Sequence, residues 1–281
     1  MTASTATSEQ AVKSLAQIAH LILDMDGVLY RGSEPMPRLG ELFAFLRERA
    51  IPFMLVTNNA TKTPGERSRQ LAAMGARVLP SEILTSGQGV ARYLLKKYPA
   101  GTRVHVFGMS ALRRALTEEG FVLADEDVKV VVASVDRDLN FEKVKVASRL
   151  IRNGAFFVAT NLDPNIPSEE GLVPGTGAMV AMLAAASGVS PIYIGKPEPI
   201  LYEIAMAQMG APPATTAAVG DRVVTDIVGG KRAGLTTICV LSGVSDRAEA
   251  EAAGTDFIFE DIGCLLDAWR AALSPKPSEG R

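Results

Sequence analysis

Asp24 and Asp26 stand two residues apart in the run Leu21-Ile22-Leu23-Asp24-Met25-Asp26-Gly27-Val28, directly behind a short apolar stretch. Two carboxylates at that spacing can point to one side of an extended segment. Gly27 permits a tight turn and lets backbone come close to a ligand. Three further clusters share this setting. Thr57-Asn58-Asn59 follows the apolar run Phe53-Met54-Leu55-Val56 and supplies a hydroxyl and amides able to hydrogen-bond phosphate oxygens. Lys196, in Gly195-Lys196-Pro197, follows Ile192-Tyr193-Ile194, and an ammonium serves phosphate as a point charge. Gly220-Asp221 follows the run from Thr216 to Val219, with Asp226 a little further on. Asp221 has the chemistry of a direct ligand to a hard cation, and Asp226 that of a group orienting it. Singly, each cluster has an ordinary explanation as an Asx turn, a helix cap or a surface lysine. Together, each at the end of an apolar run, they suit a phosphate group and a divalent cation such as magnesium.

The elements that must position them alternate. Apolar runs at His20–Leu23, Phe53–Val56, Ile83–Thr85, Arg103–Phe107, Val128–Val135, Ala155–Ala159, Ile192–Ile194, Thr216–Val219, Thr236–Leu241 and Phe257–Phe259 read as strands. Between them helical spacing recurs, first at Leu39, Leu42, Phe43 and Leu46 and later over Pro64–Met74, Val90–Lys97, Ser110–Glu119, Phe141–Asn153, Gly177–Ser187, Ile200–Met209, Thr225–Ala233 and Ile262–Ala272. Continuous apolar strands alternating with helices predict an α/β fold built on parallel sheets. In open sheets of this kind ligands bind beyond the carboxyl ends of the strands, where all four clusters stand.

Composition narrows the function. The 281 residues favour two domains, and an apolar content of 47% is ample for buried cores. Basic and acidic residues number 29 and 31, a net charge of −2. There is no global attraction to nucleic acid or to anionic lipid. The longest apolar-rich run, from Ala178 to Ala186, is too short to span a membrane. The opening residues lack the basic start and apolar core of a secretion signal. Cys239 and Cys264 belong to no Cys/His cluster, and His20 and His105 have no neighbour at ligand spacing. A reducing, cytoplasmic location is the expectation.

The four clusters, in this order, resemble the four motifs of the haloacid dehalogenase superfamily. Finer matches resemble its class IIA branch of 4-nitrophenylphosphatase-like, sugar or nucleotide phosphatases. They are Asp26-Gly27-Val28-Leu29-Tyr30-Arg31-Gly32, Thr57-Asn58-Asn59-Ala60-Thr61, Ala159-Thr160-Asn161-Leu162-Asp163, Pro174-Gly175-Thr176-Gly177, Gly195-Lys196-Pro197, Gly220-Asp221-Arg222, Thr225-Asp226-Ile227 and Ala233-Gly234. The resemblance covers residues 18 to 272; Val223-Val224, where such proteins often carry a Leu and a polar residue, departs from it slightly. It implies a Rossmann-like parallel-sheet core over 18–85 and 188–273, an inserted α/β C2-type cap over 86–187, and flexible termini at 1–17 and 274–281. It also implies a magnesium-dependent phosphatase of small phosphate esters working through an aspartyl-phosphate. Asp24 would be the nucleophile and Asp26 the general acid and base. Asp24, the main-chain carbonyl of Asp26, and Asp221 would hold the metal, with Asp226 behind them. Gly27, Thr57, Asn58 and Lys196 would bind the phosphate. The loop of Asn161 and Asp163 would face the leaving group, although an ordinary cap turn explains it equally well. Such caps often pair, so a homodimer is one expectation.

Other chemistries fit less well. A haloacid dehalogenase needs neither Asp26 nor a metal. A phosphonatase or phosphomutase would carry a cap between the first two motifs, where only about 30 residues stand. A non-catalytic phosphate-binding module on the same scaffold should have lost an acid, and none is lost. A dinucleotide-binding oxidoreductase should show G-x-G-x-x-G after the first strand, where this chain has Asp-x-Asp-Gly.

Overall fold

A computed structural model describes residues 15–168 and 171–274. The expected flexible termini lie outside the described residues, apart from 15–17 and 274. The chain forms two compact units. One takes the residues up to Leu55 with Gln70–Val78 and Met206 onward; the other takes Val56–Arg69 and Leu79–Ala205.

In the first unit a parallel sheet runs in the order Phe257–Phe259, Thr236–Val240, Thr216–Gly220, His20–Leu23 and residues 53–55 of strand Phe53–Thr57. Its central strands are buried along nearly their whole length, as a parallel sheet covered on both faces requires. The register sets Leu23 beside Val219 on one side and Leu55 on the other. Asp24 and Asp221 therefore leave adjacent strand ends. Helix Leu39–Glu48 buries Leu39, Leu42, Phe43, Phe45 and Leu46. Phe43 packs on Phe53 with ring centroids 5.1 Å apart, and Phe45 meets the fully buried Trp269 of helix Ile262–Leu273 edge-on at 5.8 Å.

In the second unit a parallel sheet has the order Ile192–Tyr193, Phe156–Ala159, Val130–Ala133, Arg103–Phe107 and Val122–Leu123. Val131, Phe157 and Phe107 from this sheet bury against Leu150 and Ile151 of helix Phe141–Arg152 and Val180 and Leu183 of helix Thr176–Ser187. The α/β class with a Rossmann-like parallel core and an inserted cap is thus the observed one.

Four departures from the sequence-based elements stand out. Helix Ser86–Leu95 starts well before Val90, because Thr85 caps it and Gln88 bonds back to the Thr85 N–H. Helix Arg247–Ala252 was not anticipated, though Asp246 and Glu249 form the same reciprocal cap. The helix expected over Thr225–Ala233 opens instead with a π turn, Val223–Ile227, and turns α-helical over Val228–Arg232. Two short hairpins, Tyr30–Arg31 with Glu34–Pro35 and Asn165–Ser168 with Gly171–Pro174, are too brief to leave a period-two pattern.

Candidate active site

The Asp24–Tyr30 loop turns back on itself. The Asp24 N–H donates to the Val219 carbonyl at 2.9 Å, and the Gly27 N–H to the Tyr30 carbonyl at 2.8 Å. Met25, Val28 and Leu29 are fully buried and anchor the loop through their side chains. Asp24 is half-buried, whereas Asp26, on the other side of Met25, is exposed.

Asp24, Asp221 and Asp226 converge: each offers a carboxylate oxygen, and these oxygens lie within 4.8 Å of one another. Asp26 does not contribute its carboxylate to this group. Asp221 is 3% exposed and Asp226 1%. The Val244 N–H donates to Asp221 Oδ2 at 2.9 Å. Asp226 Oδ2 accepts from the Arg222 N–H at 3.2 Å and from Thr225 Oγ1 at 3.4 Å. The π turn is what brings Asp226 back toward the strand end, and such turns recur at functional sites.

Three glycines wall the acids. A Cβ on Gly27 would lie 2.4 Å from Asp221 Oδ2, one on Gly243 1.9 Å from the same oxygen, and one on Gly220 2.1 Å from the Asp226 Cβ. Gly27 also has φ +85°, in the left-handed region that favours glycine. Carboxylates this close and this buried repel one another, and a cation between them would offset that repulsion. An all-oxygen carboxylate set in a close-fitting cradle fits a hard divalent cation. Cys239, buried in the neighbouring strand, is no competing nucleophile: burial first, then Asp221 and Asp226, push its thiol up to about 11.

The loop Ser242–Ser245 had gone unread in the sequence. Ser242 Oγ donates to the Gly27 carbonyl at 2.7 Å, Arg31 Nε to the Ser242 carbonyl at 2.5 Å, and the Val223 N–H to Ser245 Oγ at 3.0 Å. The available signal was its place, directly after the buried strand Thr236–Val240.

The second unit gathers the hydroxyl, amide and ammonium residues. Thr57 is buried, and its Oγ1 accepts from the Asn59 N–H at 3.1 Å. The Asn58 amide donates to Asp163 Oδ2 at 3.0 Å and to the Lys196 carbonyl at 2.9 Å. The Asn58 carbonyl accepts from Ser86 Oγ at 2.5 Å and from Asn161 Nδ2 at 2.8 Å. Lys196 is 3% exposed. Asn161 is also buried, and its Oδ1 accepts from the Asp163 N–H at 3.1 Å. The Pro174–Gly177 motif backs this loop. The Gly177 N–H donates to the Asp163 carbonyl at 2.8 Å, and a Cβ on Gly177 would meet the Leu162 carbonyl at 2.3 Å. Asn161 and Asp163 thus have firm structural duties, and Ser86 joins the cluster although no motif pointed to it.

Comparison with known proteins agrees with this architecture. The model of the haloacid dehalogenase-like hydrolases matches residues 21–122, and a second HAD-hydrolase-like model matches 193–265. An acid sugar phosphatase of Staphylococcus aureus is 39% identical over 238 residues, 84% of this chain and 92% of that protein. A 4-nitrophenylphosphatase from Thermotoga maritima superposes with a TM-score of 0.86 at 35% identity, covering 90% of this chain and 98% of that one. NagD from E. coli K-12 gives 0.82 at 32% identity, with 87% and 97% covered. The chain belongs to the haloacid dehalogenase-like hydrolases, in the class IIA branch of 4-nitrophenylphosphatase-like proteins, and is a phosphoric monoester hydrolase. Among the described residues no helix is long and apolar enough to cross a membrane.

Proposed function

We propose that the chain is a magnesium-dependent phosphatase of small phosphorylated metabolites, working through an aspartyl-phosphate on Asp24. The convergence of Asp24, Asp221 and Asp226 in a glycine-walled cradle carries this reading. Sugar phosphates and 4-nitrophenyl phosphate are the substrates to try first, because phosphatases named for them are the relatives.

Asp24 attacks phosphorus, and the bond to the ester oxygen breaks. Asp26 protonates that oxygen as it leaves; its exposure suits a group that must meet a leaving group and then a water. Asp26 next takes a proton from the water that attacks the phosphorus, and Asp24 is released as a carboxylate. Asp24, the Asp26 carbonyl and Asp221 would hold the cation, with Asp226 orienting Asp221. When bound, the cation offsets repulsion between carboxylate and phosphate and polarises the phosphoryl oxygens. Gly27, Thr57, Asn58 and Lys196 bind and orient the phosphoryl group, and the Asn161–Asp163 loop faces the leaving group. Core segments 18–85 and 188–273 and a cap over 86–187 are part of this proposal, as is a homodimer paired through the caps. Two free cysteines, Cys239 and Cys264, support a cytoplasmic setting.

Phosphate release from 4-nitrophenyl phosphate, with magnesium and again with a chelator, tests the reading. The wild type is expected to turn over only with the metal. Asp24→Asn is expected to fold and to be inactive. Activity retained in Asp24→Asn, or full turnover in chelator, sinks the mechanism.

A further inference from the structure

The Asn58 side chain offers two N–H donors, and both are engaged within the second unit, one on Asp163 Oδ2 and one on the Lys196 carbonyl. The Asn58 main-chain carbonyl accepts two further bonds, from Ser86 Oγ and Asn161 Nδ2. One residue thus ties together three pieces of chain through four bonds: the start of helix Ser86–Leu95, two points of the Asn161–Asp163 loop, and the strand end at Lys196. The side-chain amide has no N–H left to give a phosphate while these bonds stand, so the part of Asn58 in binding the phosphoryl group falls to its main-chain N–H. Gly195 shows that this approach is built in. A Cβ there would fall 2.5 Å from Asn58 Oδ1 and 2.5 Å from the Thr160 carbonyl, so only glycine lets the Lys196 backbone come this close.

We infer that Asn58 is a positioning residue that couples the Asn161–Asp163 loop to Lys196, so that the loop controls phosphate affinity as well as the choice of leaving group. This rests on the proposed role of Lys196 as a phosphate ligand. The physical basis is the burial of Lys196. A buried ammonium acts well only from a fixed place, and its place follows its backbone, which Asn58 pins. A displaced Asp163 frees the Asn58 amide, and the Lys196 strand end is then held less firmly.

Inorganic phosphate separates this from direct recognition, because it has no leaving group for the loop to read. The test compares wild type, Asp163→Ala, Asp163→Asn and Asn58→Asp. The readouts are the inhibition constant for inorganic phosphate, and KM and kcat for 4-nitrophenyl phosphate. Asp163→Ala is expected to weaken phosphate binding about tenfold, the effect of losing one hydrogen bond to a charged acceptor. Asp163→Asn, which still offers Asn58 an oxygen, is expected to recover most of that loss. Asn58→Asp, the same shape without donors, is expected to weaken phosphate at least as much as Asp163→Ala. Thermal melts establish that each variant is folded; if Asn58→Asp is not, the Asp163 pair decides. Unchanged phosphate affinity in folded Asp163→Ala overturns the coupling while leaving the proposed function standing. A folded wild type that neither binds phosphate nor turns over the ester overturns both.

Discussion

At the scale of single residues, the acids are only as well placed as the empty space beside them. Gly27 and Gly243 each leave room that a methyl group would take from Asp221. Gly32 also has a positive φ, of 59°, but a Cβ there would meet nothing within 4 Å. These three positions separate crowding from backbone strain. Gly32→Ala is expected to cost about 1 kcal/mol of stability with activity kept, since only the left-handed backbone is penalised. Gly27→Ala and Gly243→Ala are expected to lower kcat/KM about 100-fold and to weaken magnesium binding, because Asp221 must move. Titration of magnesium, followed by calorimetry and by rate, checks both; equal behaviour of all three variants would remove Asp221 from the metal. The chemical residues were legible in the sequence because a charge directly behind a buried apolar run is conspicuous. Gly243 was not, because Ser242-Gly243-Val244-Ser245 looks like any polar turn and its partner Asp221 lies 22 positions earlier.

Elements were legible where they are long and periodic, and illegible where a cap or a bulge decides them. The helix at Ser86 shows the first case failing at its edge. Its opening residues, Ser86, Gly87 and Gly89, carry no hydrophobic period and include two poor helix formers. The Thr85 and Gln88 side chains satisfy the backbone donors there, and that pairing was readable as a capping box. Thr85 is 3% exposed, so little water reaches the freed N–H of Gln88 once the hydroxyl is gone. Thr85→Ala is accordingly expected to lower stability by about 1–2 kcal/mol, measured as a shift in the denaturant midpoint at unchanged m. An effect below about 0.3 kcal/mol would mean that Gln88 finds another acceptor and that packing alone sets this helix start. The π turn at Val223–Ile227 was beyond any such reading: Thr225-Asp226-Ile227 is as compatible with a regular helix start. Hairpin Asn165–Ser168 was disguised by Pro167, a residue that reads against a strand but is tolerated where an edge needs no N–H.

At the scale of the whole molecule, near-balanced charge leaves stability against pH to a few groups with unequal surroundings. His105 lies in strand Arg103–Phe107 and is buried, with its Nδ1 2.9 Å from Asp125 Oδ1. Burial lowers its pKa, and the Asp125 carboxylate only partly offsets this. As pH falls through about 6.5, the unfolded chain therefore takes up this proton before the folded one does. Above that pH both forms are neutral and nothing is lost; below it, stability falls until the folded imidazole is itself protonated. Surface carboxylates act in a lower window. Glu41 and Asp267 are held below their ordinary values by hydrogen bonds from Arg38, and Glu66 by the Thr63 backbone N–H and hydroxyl. What they contribute is present above about pH 4.5 and is lost as pH drops beneath it. Melting temperatures recorded from about pH 8 down to about pH 2 should thus show two steps. His105→Gln, which keeps a donor toward Asp125 and cannot be charged, should flatten the upper step and leave the lower one in place. If the slope between pH 6.5 and pH 5 is the same in His105→Gln as in the wild type, burial of this imidazole is not what makes the fold acid-sensitive there.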